Sequence, residues 1–137
     1  MSIKAFGGKW FAEWVVKKDR KWAGKPEATQ EQVFQQLIKQ GQNTLFGKDH
    51  DFHQIKNHAD FRQKVPVRSY EEIRPYIEKI IAGGKDVLWP GKPHYLAKTS
   101  GTTSGAKYIP ITKDSIPNHI NSARDALLHY IKDTGNT

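Results

Sequence analysis

Apolar residues recur at helical spacing through about the first 86 positions, break into short extended runs between 87 and 112, and return to helical spacing afterwards. The first helix is expected over about Gly8 to Lys21. Phe6, Trp10, Trp14 and Lys18 share one stripe, with Phe11, Val15 and Trp22 beside it, and Lys9, Lys17 and Lys21 fill much of the rest. Such a stripe is expected to pack on the protein body, although a basic, tryptophan-bearing helix could also lie on an anionic membrane. Gly24-Lys25-Pro26 reads as a linker. Thr29 is expected to cap a second helix, with Gln32 completing a capping box. Val33, Phe34, Leu37, Ile38 and Leu45 keep the spacing across Gly41, and Gly47 is the expected stop.

Further along, Asp60 to Val65 suits a short helix stopped by Pro66. Ser69 and Glu72 form a second capping box and open a helix through Ile73, Ile77, Ile80 and Ile81. Pro75 is expected to kink it, and Gly83-Gly84 to end it. A long helix is expected from Thr112, with Ile116, Ile120, Ala123, Leu127 and Ile131 buried and Gly135 as its end. Pro117 falls in its early turns, where proline is tolerated. His94–Lys98 and Tyr108–Thr112 read as short strands on either side of a polar turn. The expected fold is therefore mostly α-helical, with one short β-hairpin.

Composition narrows the chemistry. The chain has 137 residues and no cysteine, which excludes disulfides, thiolate metal sites and a cysteine nucleophile. Nothing approaches the roughly 20 apolar residues of a membrane span, and the first residues lack a signal peptide's apolar run. A soluble, cytoplasmic protein is expected. Only 36% of residues are hydrophobic and the formal charge is +8. That charge attracts anions, but the lysines are spread along the chain as a generally basic surface would have them. Lys48-Asp49-His50-Asp51-Phe52-His53 has the composition of a metal site, yet no second cluster supplies further ligands. It reads as loop, and no metal ligand is assigned.

The segment that carries chemistry is Thr99-Ser100-Gly101-Thr102-Thr103-Ser104-Gly105-Ala106-Lys107. It has five hydroxyl side chains, two glycines and a terminal lysine. Glycine lets backbone N–H groups turn toward an anion with no Cβ in the way, and consecutive N–H groups form an anion-binding nest. Hydroxyls add donors. Lysine adds a mobile charge, suited to a phosphate that must later leave. The order is not that of a Walker A loop, because Lys107 lies two residues past Gly105 and a strand follows instead of a helix.

This order resembles the signature loop of the adenylate-forming superfamily, which includes acyl-CoA synthetases and luciferases. Thr99, Ser100, Gly101, Thr102, Thr103 and Lys107 match its pattern, while Ser104 and Ala106 stand where many members have glycine and proline. With the upstream segments NTLFGKDHDF, VPVRSYEEIRPYI and VLWPGKPHYLAK, the sequence from about Gln30 onward resembles bacterial members of the auxin-responsive promoter family. Its plant relatives are acyl acid–amido synthetases.

The resemblance implies an α/β parent fold and a two-step ligase reaction. A carboxylate attacks ATP to give an acyl-adenylate and pyrophosphate, and an amine then takes the acyl group. It implies ATP and Mg2+, with Thr99, Ser100, Gly101, Thr102, Thr103, Ser104, Gly105 and Lys107 holding the phosphates. Lys107 would be the catalytic residue that neutralises the leaving pyrophosphate. Family members are several times longer, and their adenine, ribose, acyl and magnesium sites would follow Thr137. Residues 1–26 are then expected to be an amphipathic helix with its linker, and 27–137 the beginning of a large adenylation domain whose remainder is its partner. Two other readings stay open: a basic module for nucleic acid or membrane surfaces, although no nucleic-acid fold signature is present, and a truncated domain with an interaction role.

Overall fold

The computed structural model describes residues 3–100 and 105–136, with side chains from residue 7 onward. Six α-helices and one hairpin follow in order: α1 (Ile3–Ala23), α2 (Pro26–Gly41), α3 (Leu45–Asp49), a 3-10 turn (Phe52–Gln54), α4 (His58–Lys64), α5 (Tyr70–Ile81), β1 (Tyr95–Lys98), β2 (Tyr108–Ile111) and α6 (Ile116–Thr134). They form two compact units. One is residues 31–113, and the other combines residues 1–30 with 114–137.

In the second of these units α1 packs on α6. The seam consists of Ala12, Val15 and Leu128, with Ile131 against it. His129 Nε2 lies 3.1 Å from an Asp19 carboxylate oxygen across the same pair. The buried stripe of α1 is therefore not the expected one. Trp10, Trp14 and Trp22 are 66%, 53% and 55% exposed, while Ala12, Val15 and Val16 are buried. On α6 the expected face is met at its ends, where Ile116 and Ile131 are half-buried, but not between them. Leu128 is buried, and Ile120, Ala123 and Leu127 are exposed. Small Ala12 lets the two helices approach, a role that a count of large apolar residues overlooks. α6 also starts later than expected, at Ile116 after the N-cap Ser115 instead of at Thr112.

Thr29 does not cap α2. The helix begins at Pro26, whose missing N–H costs nothing in a first turn. Thr29 sits one turn inside, and its hydroxyl donates back to the Lys25 carbonyl at 2.8 Å.

The unit 31–113 joins short helices through aromatic rings. His58 stacks on Phe34, and Phe34 meets Phe61 edge-on. Phe61 meets Phe52, Phe52 meets Phe46, and Phe46 touches both His50 and Tyr76. The chain of rings thus runs from α2 through α4 and the 3-10 turn to α3 and α5. Ile38, Ile55, Ile77, Ile80 and Val87 are buried in this unit.

Gly47 does not stop a helix, as the sequence suggests. α2 ends at Gly41, and Gly47 lies buried within α3. A Cβ on Gly47 would collide with the Gly41 carbonyl, so glycine is required there by close backbone approach. The four N–H groups that open α3 are all satisfied. Leu45 and Phe46 donate to the carbonyls of Asp86 and Val87, Gly47 donates to the Thr44 hydroxyl, and Lys48 donates to the Thr44 carbonyl. This ties NTLFGKDHDF to the loop before the hairpin.

α5 follows the sequence closely. Ser69 is its N-cap, and both bonds of the capping box with Glu72 are present. Pro75 stands inside it. Gly83 (φ +91°) ends it in a Schellman motif, with Gly84 N–H on Lys79 O and Gly83 N–H on Ile80 O.

Candidate functional site

The hairpin is antiparallel and pairs Tyr95 with Ile111 through Lys98 with Tyr108. The next pair is Thr99 with Lys107, and the Thr99 N–H donates to the Lys107 carbonyl at 3.0 Å. The turn that the sequence singles out therefore begins and ends on hydrogen-bonded partners. Thr99 and Lys107 are half-buried at its root, and Ser100 is exposed. Gly105 has φ +81° with open space around its Cα, a backbone state that favours glycine. Gly101, Thr102, Thr103 and Ser104 lie outside the described residues.

What the sequence does not single out is Tyr70, the first residue of α5. Its hydroxyl accepts the Tyr108 N–H at 2.8 Å. Its ring lies 5.5 Å from the Lys107 ammonium nitrogen. Tyr70 lies within VPVRSYEEIRPYI, but its only local signal is an aromatic residue directly after an N-cap. The capping box sets where it stands. Ser69's backbone N–H, then its hydroxyl, then the charge of Arg68 hold the Glu72 carboxyl below the usual glutamate range, against the upward push of burial.

The histidine–aspartate segment is occupied by structural bonds. Arginine can only donate, so the Arg68 contact at 2.8 Å makes His50 Nε2 an acceptor and leaves Nδ1–H to donate to the Phe46 carbonyl at 2.7 Å. Asp49 accepts the Tyr76 hydroxyl at 2.8 Å, and burial and that carboxylate push the Tyr76 phenol up. Asp51 pairs with Lys64 at 3.3 Å. Among the described residues no three histidine, aspartate or glutamate side chains converge as metal ligands. Beside the hairpin an open cleft of about 220 Å3 is lined by Ile80, Gly84, Lys92, Pro93, His94, Tyr95 and Leu96. It is smaller than the roughly 300–1,000 Å3 of typical small-molecule sites. Among the described residues no helix is long and apolar enough to cross a membrane.

Fold and sequence together define a mostly helical chain in which two paired strands flank a hydroxyl- and glycine-rich segment that ends in a lysine. The chain belongs to the GH3 family: the pattern of the GH3 family N-terminal domain matches residues 16–135. The match begins within α1, upstream of the region that carries the sequence resemblance. The chain is 32% identical over 93 residues to the indole-3-acetic acid-amido synthetase GH3.17 of Arabidopsis thaliana, covering 66% of this chain and 15% of that protein. It is 40% identical over 60 residues to the probable indole-3-acetic acid-amido synthetase GH3.13 of Oryza sativa subsp. japonica, covering 42% and 13%. With the indole-3-acetic acid-amido synthetase GH3.2 of Arabidopsis thaliana the identity is 29% over 94 residues, covering 66% and 17%. The aligned region thus spans less than a fifth of each of these relatives.

Proposed function

We propose that this chain is the phosphate-holding N-terminal portion of an ATP-dependent acyl acid–amido synthetase. The observation that carries the reading is the Thr99–Lys107 turn, closed at its root by the Thr99–Lys107 hydrogen bond, in a chain of the GH3 family. The reaction joins a small carboxylic acid, of the kind in the relatives' names, to an amine such as an amino acid. The acid's oxygen attacks the α-phosphorus of ATP, and the bond to the bridging β-phosphate oxygen breaks. Pyrophosphate leaves, and the amine nitrogen then attacks the acyl carbon and releases AMP.

In this reading the hydroxyls of Thr99, Ser100, Thr102, Thr103 and Ser104, with the backbone at Gly101 and Gly105, hold the β- and γ-phosphates. Lys107 faces the charge that develops as pyrophosphate departs. The donor set fits a polyphosphate, since hydroxyls and an ammonium group are suited to anionic oxygen. The turn has no carboxylate, so Mg2+ would be held by phosphate oxygens and by residues outside the turn. When bound, Mg2+ neutralises phosphate charge.

The test is isotope exchange between pyrophosphate and ATP by the full-length protein that carries this chain, given candidate acids. Lys107→Ala should lower the exchange by about 100-fold or more, the effect of removing a group that stabilises a leaving anion. Exchange at the wild-type rate would remove the turn from the reaction.

A further inference from the structure

We infer that Tyr70 is the positioning residue for Lys107; as a statement about phosphate binding this rests on the function proposed above. The Lys107 carbonyl and the Tyr108 N–H belong to one planar trans peptide unit, so they point in opposite directions. The carbonyl accepts from Thr99 at 3.0 Å, and the N–H donates to the Tyr70 hydroxyl at 2.8 Å. One peptide plane is therefore held at both ends. The hairpin register explains why Tyr108 needs an outside partner. Alternate residues of an antiparallel strand turn their N–H toward and away from the neighbour, and Tyr108 follows the bonded residue Lys107.

The same tyrosine reaches the other end of Lys107. Its ring lies 5.5 Å from the ammonium nitrogen, within the range of a cation–π contact. The ring holds the ammonium loosely, since contact with a phosphate oxygen is a stronger, charge-assisted interaction. Tyr70 thus fixes where the Lys107 backbone points and limits where its tip travels, yet leaves the tip free to move onto an anion. Its own place at the first position of α5 is set by Ser69 and Glu72.

The test uses the 137-residue chain, with tripolyphosphate as probe and NMR as readout. Tyr70→Phe keeps the ring and loses the hydroxyl. It should speed exchange of the Tyr108 amide by about fivefold or more, the size of one hydrogen bond, and leave the ring-current shift of the Lys107 methylene protons in place. Tyr70→Leu should speed the same exchange, abolish that shift and weaken tripolyphosphate binding by about fivefold. The Gly84 amide should stay protected in both variants, which separates this clamp from loss of fold. Unchanged Tyr108 exchange in Tyr70→Phe would overturn the clamp. Unchanged tripolyphosphate affinity in Tyr70→Leu, with Lys107→Ala weakened, would overturn the positioning role. Tripolyphosphate binding indifferent to Lys107→Ala would instead overturn the phosphate reading, while exchange and ring-current shifts still decide whether Tyr70 holds Lys107.

Discussion

The two compact units solve the same problem of a polar, basic chain in different ways. The unit 31–113 uses several short helices, and each of α3, α4 and α5 has a side-chain oxygen accepting an N–H at its start: Thr44, Asn57 and Ser69. Rings then link those helices one to another, α4 through the 3-10 turn to α3 and α3 to α5, and the hairpin stands on α5 through Tyr70. The unit formed by 1–30 and 114–137 uses two long helices and a narrow seam of Ala12, Val15, Leu128 and Ile131. It leaves Trp10, Trp14, Trp22, Ile120, Leu127 and Tyr130 exposed. The candidate loop is rooted in the unit whose local geometry is the more fully determined. That is where a site needing fixed donors is best carried.

The hardest way to break the first unit is at Gly47. Gly47→Ala would place a methyl group against the Gly41 carbonyl, backbone on backbone, with no flexible side chain to yield. A loss of about 3 kcal/mol or more is expected, read from urea unfolding followed by the near-UV signal of the aromatic rings. An unchanged midpoint would mean that Gly41 and Gly47 do not approach so closely.

In the second unit Leu128→Ala should cost about 2–3 kcal/mol, because it removes the largest buried side chain of the seam. Amide exchange along α6 should rise with it. Trp14→Ala is the contrasting change. At 53% exposure it should stay within about 0.5 kcal/mol of wild type, although tryptophan is the larger residue. If Trp14→Ala costs as much as Leu128→Ala, the stripe expected from spacing is the true seam.

That contrast also marks what the sequence can tell. Ser69 and Glu72 were legible because a capping box is a relation between residues three apart. The hairpin flanks were legible because the same few residues carry both strand pattern and turn. The seam of α1 and α6 was not, because 100 or more positions separate its partners and nothing local says that Ala12 counts for more than Trp14. Gly47 is a similar case: its requirement comes from Gly41, on another helix. Tyr70 was visible as a letter in VPVRSYEEIRPYI, but its role depends on Tyr108, which is 38 positions away. The segment between the strands stands out by motif, whereas the contacts of Tyr70 with Lys107 and Tyr108 do not.

A smaller change tests whether the caps of the first unit matter as argued. Ser69→Ala removes the hydroxyl that caps α5 and should cost about 1 kcal/mol, measured by urea unfolding at neutral pH. Because Tyr70 follows directly, the same variant should also loosen the Tyr108 amide in hydrogen exchange. A stability loss with no change at Tyr108 would mean that the cap and the hairpin root act separately.

The smallest effect is the one whose sign is most specific. Glu72 accepts the Ser69 N–H at 2.6 Å and the Ser69 hydroxyl at 2.8 Å, bonds that favour the charged carboxylate. Its carboxyl is therefore held below the ordinary glutamate value of about 4.3. As pH falls past that value the unfolded chain takes up the proton first, so stability falls with pH. The contribution is complete above the unfolded value and is lost as pH drops through the lower, folded one. Glu72→Gln has no proton to take up in this window. Wild type should be the more stable near neutral pH, and the gap should narrow as pH falls through the carboxylate range, in urea midpoints measured at matched salt. Glu72 is exposed, so the gap is small and its closing with pH is the quantity to read. A gap that is constant across the window would mean that the carboxylate's charge adds nothing to the cap, and that Ser69 alone sets where α5 begins and Tyr70 stands.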